Sequence, residues 1–295
     1  MSGEATFINC LFEENRAGAA GGAIKVRGGG SATIENCRFI NNTGDTPSSG
    51  AWGGAVSSSG GDLVIKNSLF FGNFANRGAA IGHSGGFGGA QITNCTFVAN
   101  STDLNSIIFS EDGGMSLENS IFWDNQGTLF GSNFSGIRAT IKDNLIQGLS
   151  DMSVTGLPDR FMDHNIDADP LFVNSAKLDF RLQPMSPAID IGAEQVTDPL
   201  DEDAKIGPAP DEDITGIMRP QLTTWDLGMH EYVPGFENDV DANNAIDAVD
   251  VQNVINGALG LTTPNASYTD TNFDGFTNAV DVQKVINAAL GILGK

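Results

Sequence analysis

Asn94-Cys95-Thr96-Phe97-Val98-Ala99-Asn100 decides the fold, because its frame returns throughout the first half of the chain. It recurs as Asn9-Cys10-Leu11-Phe12 ending at Asn15, as Asn36-Cys37-Arg38-Phe39 ending at Asn42, as Asn67-Ser68-Leu69-Phe70 ending at Asn73, and as Asn119-Ser120-Ile121-Phe122 ending at Asn125. A degraded sixth copy is Asp143-Asn144-Leu145-Ile146. Successive first positions lie 27, 31, 27, 25 and 24 residues apart, the spacing of a stacked repeat. Two places before each corner stands an apolar residue: Phe7, Ile34, Ile65, Ile92, Leu117 and Ile141. Alternation puts that residue on one face of a short strand, and the Cys or Ser and the Phe on one face of the next. Asn tolerates the left-handed backbone that a tight corner between the two strands needs.

A third apolar segment follows most copies: Gly21-Gly22-Ala23-Ile24, Gly53-Gly54-Ala55-Val56, Gly78-Ala79-Ala80-Ile81 and the variant Ser106-Ile107-Ile108. Three short strands per coil, repeating every ~25 to 30 residues, predict a right-handed parallel β-helix with ladders of Ile, Phe, Cys/Ser and Asn along its length. The paired motifs Gly-Gly-Ala-Ile and Phe-x-x-Asn resemble those of bacterial surface β-helix proteins, among them the polymorphic membrane protein repeats and the pectate-lyase-like solenoids. That resemblance spans most of residues 5–146 and implies an architecture, not an activity.

Cys10, Cys37 and Cys95 share one column with Ser68, Ser120 and Asn144, which predicts small inward residues in a packing ladder. Side chains stacked in parallel rarely meet disulfide geometry, and no His or Cys lies at ligand spacing within a coil. The outward column Ile8, Glu35, Lys66, Thr93, Glu118 and Lys142 sets opposite charges on neighbouring coils, as in a solvated cross-strand ladder. No catalytic constellation of clustered carboxylates emerges from residues 1–150. A second outward column, Leu11, Arg38, Leu69, Thr96, Ile121 and Leu145, is too apolar to stand free, so a loop, a domain or a ligand should cover it. For Trp52, Arg77, His83 and Trp123, a sugar-stacking surface is the alternative to ordinary packing.

Charge divides the chain. Of its net −22, residues 1–150 carry −4 and residues 151–295 carry −18. An acidic second half argues against nucleic acid and points to divalent cations or a solvating surface. No stretch approaches the roughly 18 consecutive apolar residues of a membrane span. Met1-Ser2-Gly3-Glu4 runs straight into repeat sequence without a leader, so a leader and first coils are expected upstream.

Past residue 150 the repeat fades while Pro and Asp rise. Asp167-Ala168-Asp169-Pro170-Leu171-Phe172, Asp179-Phe180-Arg181-Leu182, Ser186-Pro187-Ala188-Ile189-Asp190-Ile191-Gly192, Arg219-Pro220 and Trp225-Asp226-Leu227-Gly228-Met229-His230-Glu231-Tyr232 follow in order. Their succession resembles the choice-of-anchor Q domain that follows the β-helix in many secreted bacterial proteins. Strands at Leu171-Phe172-Val173 and Phe180-Arg181-Leu182 are expected to add last coils and cover the open end. The acidic segment from Asp198 to Asp213 reads as an exposed excursion, with weak calcium binding as its alternative. His164 and His230 are expected to be structural.

Two near-identical units close the chain, 31 residues apart. In the first, Asp239, Asp241, Asn243, Ala245, Asp247 and Asp250 occupy positions 1, 3, 5, 7, 9 and 12 of a twelve-residue loop; in the second, Asp270, Asn272, Asp274, Phe276, Asn278 and Asp281 do so. Side-chain oxygens at positions 1, 3, 5, 9 and 12, with a backbone carbonyl from position 7, are what a Ca²⁺ loop of the EF-hand kind requires. Gly275 makes the sharp turn at position 6 of the second loop, and Asn244 stands there in the first, which makes the second the safer site. A helix-like segment follows each loop.

The duplication, with Asp at position 12 where an EF-hand ordinarily has Glu, resembles a type I dockerin domain. That resemblance implies a cohesin-like partner, with recognition residues mapping to Ala248 and Val249 in one copy and to Ala279 and Val280 in the other. Small apolar residues there depart from the hydroxyl-containing pairs common in cellulosomal dockerins. The expected organisation is a mainly β chain: a parallel β-helix over 1–150, a cap over 151–233, and a small helical dockerin over 234–295 holding about two Ca²⁺. A secreted or cell-surface protein that binds or breaks down polysaccharide is the implied setting. A polysaccharide lyase or glycoside hydrolase, and a surface adhesin, are the competing readings.

Overall fold

A computed structural model describes residues 3–18, 20–44, 52–84, 88–111, 114–131, 138–149, 162–198, 201–234, 238–241, 243, 245–261, 269–272 and 276–292. Met1–Pro170 with Pro187–Glu231 form one compact unit, and Leu171–Ser186 with Tyr232–Lys295 form a second.

In the first unit three parallel sheets wind into a right-handed β-solenoid. One sheet stacks Glu4–Ile8, Ser31–Glu35, Leu63–Lys66, Ala90–Thr93, Gly114–Glu118, Arg138–Lys142 and Met162–Asp163. A second stacks Leu11–Glu13, Arg38–Ile40, Leu69–Phe71, Thr96–Val98, Ile121–Trp123 and Leu145–Ile146. The third joins Ile24–Val26, Val56–Ser59, Ile81–Ser84 and the long strand Ser101–Glu111 in register, so that Ile24, Val56, Ile81 and Ile108 form one inward row. Between the first two sheets Asn9, Asn36, Asn67, Asn94, Asn119 and Asp143 all adopt the left-handed conformation, with φ between 46° and 55°. An extended residue there would carry the strand straight on, so these corners close the coil.

Two ladders run through the interior. Phe12, Phe39, Phe70, Phe97 and Phe122 stack with centroids 4.4–4.9 Å apart and planes within 7° of parallel. Parallel strands at ~4.8 Å impose that spacing, which explains why the rings lie flat instead of edge-to-face. Beside them Asn15, Asn42, Asn73, Asn100 and Asn125 form an amide ladder. Asn73 is representative: its Nδ2 donates to Phe39 O one coil below at 2.9 Å and to Asn100 Oδ1 one coil above at 3.0 Å, and its backbone N–H joins the same oxygen. Asn42, Asn73 and Asn100 thus each find donors and acceptors inside the core, where an unpaired carboxamide would cost roughly 1–3 kcal/mol.

The cysteine column follows the expected ladder. All three cysteines are free, with Cys37 and Cys95 buried. Ser68 Oγ accepts the Cys37 N–H, Ser120 Oγ accepts the Cys95 N–H, and Asn144 Oδ1 accepts the Ser120 N–H. Burial pushes the Cys95 thiol up to about 12 and raises Cys37 as well, which keeps both protonated and inert.

The solenoid extends past the expected boundary at 150. Met162-Asp163-His164-Asn165-Ile166 is a further coil, its corner at His164 (φ 51°), with Asn165 Oδ1 taking both N–H groups of Asn144. Sequence reading missed it because Asp167, not Phe, follows Ile166 and no apolar third segment announces it. His164 stands at this corner, exposed between Asp143 and Asp163 at 3.6 and 3.7 Å.

Residues 187–231 do not lie over the end of the helix; they strap its flank. The Met229 N–H donates to Thr96 Oγ1, Gly228 N–H to Asn119 O, Asn94 Nδ2 to Asp226 O, and Asn67 Nδ2 to Glu212 O. Gly228 (φ +83°) comes so close that a Cβ there would stand 2.8 Å from Ile121 Cδ1 and Thr96 Oγ1. In the apolar outward column Leu69, Thr96, Ile121 and Leu145 are buried, while Leu11 and Arg38 are exposed.

The motif residues of 187–231 are one another's partners. Arg219 Nη1 pairs with Glu231 Oε2 at 3.0 Å, both side chains fully buried, and further donates to Asp226 O and Gly228 O. Asp190 Oδ1 caps the Thr223 and Thr224 N–H groups, and Asp226 Oδ1 takes the Asp190 N–H. The acidic excursion is instead an antiparallel hairpin, Gln195–Asp198 with Asp201–Pro208, set against the outer face of the first sheet. Within this segment Asp213 is wholly buried and accepts from Thr215, Ile217 and Glu231 N–H groups, with His230 Nδ1 3.6 Å away. Burial would raise the Asp213 carboxyl, but His230 and these donors outweigh it and hold it well below the usual carboxylate range.

In the second unit, Phe172–Asn174 and Asp179–Leu182 pair antiparallel with each other, a correction to the expected last coils. Asn174 caps a short 3₁₀ turn at Ser175–Lys177 and Leu178 takes a left-handed conformation (φ 61°), so the chain doubles back instead of continuing a parallel winding. Phe172 meets Phe180 edge-to-face at 5.1 Å. Two helices follow, α1 (Ala248–Ala258) and α2 (Ala279–Ala289), around a core of Val240, Val254 and Val285 flanked by Val251 and Val282. Gly257 admits Thr269, whose Oγ1 would stand 2.7 Å from a Cβ at that position. Ala288 occupies the matching place in the second copy.

Candidate metal centre

Each terminal loop is built by the carboxylate at its twelfth position. Asp250 is wholly buried at the third position of α1; its Oδ1 accepts the Val240 and Asp241 N–H groups at 2.7 and 3.2 Å, and its Oδ2 accepts the Asp247 N–H at 2.8 Å. Asp247 returns the favour by capping the helix at Val249 N–H, a reciprocal capping box. Thirty-one residues on, Asp281 repeats this pattern with Thr271, Asn272 and Asn278 N–H groups at 2.9, 3.1 and 2.9 Å, and Asn278 caps α2 at Val280. Asp and Asn are strong N-caps, and an aspartate at the helix N-terminus also meets the favourable end of its dipole. One side chain therefore sets the helix start and folds the loop back onto it.

That folding gathers charge. In the first loop carboxylate oxygens of Asp239, Asp241 and Asp250 lie within 4.8 Å of one another, the first and last buried. Each such pair of like charges costs about 3 kcal/mol at an effective dielectric near 20. Backbone donors offset only part of that repulsion: Asn243 N–H reaches Asp239 Oδ1 at 3.1 Å and Asp241 Oδ1 at 3.2 Å. An all-oxygen, anionic donor set on a short loop suits a hard divalent cation such as Ca²⁺. Ala245 at position 7 and Asp247 at position 9 follow in the same loop, Asn243 Oδ1 taking the Ala245 N–H.

In the second loop Asp270 and Asp281 are buried, Asn272 is half-buried, and the exposed Phe276 offers its carbonyl at position 7. Asp274 and Gly275, like Asn244 of the first loop, lie outside the described residues. Among the described residues three carboxylates converge in the first loop, the third carboxylate of the second loop, Asp274, lying outside them.

Of the four expected recognition residues, Ala248, Val249, Ala279 and Val280 are all exposed on the first turns of α1 and α2. Sequence reading missed a second matched set: Leu259 and Leu261 after α1, with Leu290 and Ile292 after α2, are each more than half exposed. The 31-residue offset that pairs the loops also pairs 259 with 290 and 261 with 292.

On the solenoid, the four residues of the expected sugar-stacking surface are not brought together. Trp52 packs on Phe109 at 5.2 Å with Arg77 over the same ring, and Trp123 lies on the second sheet. His83 is buried between Ser58 and Ser110 on neighbouring coils. An open, polar groove of about 300 Å³ does exist, lined by Glu35, Lys66, Gln91, Pro208 and Asp211, where the strap leaves the outward column uncovered.

Residues 1–103 match the family described as right handed beta helix region, and residues 237–290 match the dockerin type I domain. No curated protein and no solved structure matches the chain. The chain is thus a β-helix protein with a C-terminal type I dockerin, a domain class that generally binds calcium, docks onto a cohesin-type partner and is typical of extracellular or cell-surface proteins. Among the described residues no helix is long and apolar enough to cross a membrane.

Proposed function

We propose that this protein is the tethered cargo of an extracellular assembly: a β-helix that contacts polysaccharide, carried on a dockerin that holds about two Ca²⁺ and docks through the N-terminal turns of α1 and α2. The observation that carries the reading is the exact repetition of the Asp250 network by Asp281, donor for donor at a fixed offset. Calcium completes each loop, and each loop sets the start of a helix that presents Ala248-Val249 or Ala279-Val280 outward. Metal and docking surface are therefore mechanically one device. The residues hold the ion; their carboxylates supply its charge neutralisation and the position 7 carbonyls complete the oxygen set. For polysaccharide contact, the support is the polar groove beside Glu35 and Lys66.

Two measurements test it. Immobilised cohesins of several types should capture the full chain in millimolar Ca²⁺ and release it in EDTA, and Val249→Asp with Val280→Asp should weaken capture at least tenfold; capture indifferent to EDTA sinks the docking reading. Screening the chain against a polysaccharide panel separates a binding module from an enzyme: retention without turnover supports the module, whereas reproducible release of sugars or unsaturated uronides replaces it with a lyase or hydrolase.

A further inference from the structure

The two calcium loops share the network around their position 12 aspartates and differ in what supports them from behind. In the second copy Lys284, on α2, donates its Nζ to the Thr271 carbonyl, tying the start of the loop to its own helix. The matching position on α1 is Asn253, buried, whose Nδ2 meets no acceptor among the described residues. Asparagine is too short to repeat the lysine's reach, so the first copy lacks an internal brace.

A cation from elsewhere stands in its place. Arg181, on the hairpin of Phe172–Asn174 with Asp179–Leu182, donates Nη1 to the Asp239 carbonyl at 3.0 Å, one residue earlier in the loop than the contact Lys284 makes. Its remaining edge is locked: Nε and Nη2 take Asp179 Oδ1 and Oδ2 at 3.0 and 2.8 Å, a bidentate pair only 21% and 9% exposed. A planar guanidinium held on one edge by a carboxylate presents its Nη1 donors in a fixed direction, which a flexible ammonium would not do. Burial alone would lower the Arg181 pKa, but the charges of Asp179, Asp239 and Asp250 outweigh it, so the cation also faces the carboxylates that converge in the loop.

We propose that the hairpin Leu171–Ser186 is a working part of the docking unit, in which Arg181 is the positioning residue that preorganises the first calcium loop in place of the lysine missing from α1. This rests on the calcium-binding reading above. Asp179 neutralises most of the guanidinium's charge, so the gain in loop order exceeds the repulsion between Arg181 and the incoming ion.

The test uses the full chain, titrated with Ca²⁺ by calorimetry, with amide exchange followed in EDTA. Arg181→Met should weaken one site by about 3- to 10-fold, leave the other within twofold, and speed exchange of the Val240 and Asp241 amides in EDTA without affecting Thr271 and Asn272. Adding Asn253→Lys to that variant should recover at least half of the loss, since it transplants the second copy's brace. Arg181→Lys, which keeps charge but not the fork, should fall between. Two unaltered sites, equal losses at both, or unchanged exchange at Val240 would overturn the brace. A wild-type chain that takes up no Ca²⁺ sinks the docking reading itself; one that takes up Ca²⁺ normally with Arg181→Met unaffected sinks only the brace.

Discussion

The solenoid and the docking unit both repeat a polar residue along the chain, and they end in opposite needs. In the solenoid the repeated group is neutral: each Asn of the interior column is donor and acceptor at once, so Asn42, Asn73 and Asn100 satisfy one another and the coil needs nothing added. In the docking unit the repeated group is anionic and accepts only, so bringing Asp239, Asp241 and Asp250 together satisfies backbone donors while accumulating charge. Repetition of carboxamides closes a ladder; repetition of carboxylates opens a cation site. Core size sharpens the contrast, since the solenoid packs rows of Phe and Ile through successive coils whereas the cluster between α1 and α2 holds, among the described residues, three buried valines.

The largest effect that would break this comparison is calcium removal. Saturating Ca²⁺ at about a thousand times Kd adds about 4 kcal/mol per site, a large share of the stability available to so small a core. EDTA should reduce the helical circular dichroism of α1 and α2 and lower the melting temperature of the helical unit, leaving the β-solenoid transition where it was. Helices that persist unchanged in EDTA would mean that the valine core suffices and the contrast is wrong.

A smaller effect probes the ladder. Asn100→Ala removes the acceptor of both Asn73 N–H groups and the donor to Phe70 and Asn125, so it should destabilise the solenoid by about 1–3 kcal/mol in denaturant titration while leaving Ca²⁺ uptake intact. A loss within a few tenths of a kcal/mol would show that the column is packing and not a hydrogen-bonded ladder.

The smallest effect is a pH dependence confined to the solenoid. Burial lowers the pKa of His83, countered in part by the Gly88 backbone and Asp62. A base depressed in the folded state binds protons more readily unfolded, so its stabilisation is complete above the unfolded value near 6.5 and declines as pH falls toward the folded value. For a single proton the decline cannot exceed about 1.4 kcal/mol per pH unit. His83→Leu should flatten that slope in thermal melts between pH 7 and pH 5, and a slope unaltered by the substitution would place the titration elsewhere.

Much of this was legible in the chain. The Asn corners, the Phe and Cys/Ser columns and the duplicated loop-and-helix units could be read because each obeys a local rule repeated at a fixed spacing, and repetition separates a rule from chance. What escaped reading was unrepeated. The coil at Met162–Ile166 lacks the Phe, so only its pairing with Ile141, Lys142 and Leu145 reveals it. Arg181 carries no motif, and its meaning appears only where its guanidinium meets the Asp239 carbonyl 58 residues away.

By itself, then, the sequence determined the winding, the rows that fill it and the two oxygen-rich loops, since backbone handedness, side-chain alternation and ligand spacing act over a few residues. Only the tertiary structure decided where the non-repeating segments go. Residues 187–231 settle on the flank because Gly228 lets the backbone approach Thr96 and Ile121, covering a column that had to be covered by something. The hairpin at 171–186 turns to the helical unit because Arg181, held by the Asp179 carboxylate, donates to the Asp239 carbonyl there. Both choices depend on surfaces that exist only after the repeats have folded, which is why no local pattern announces them.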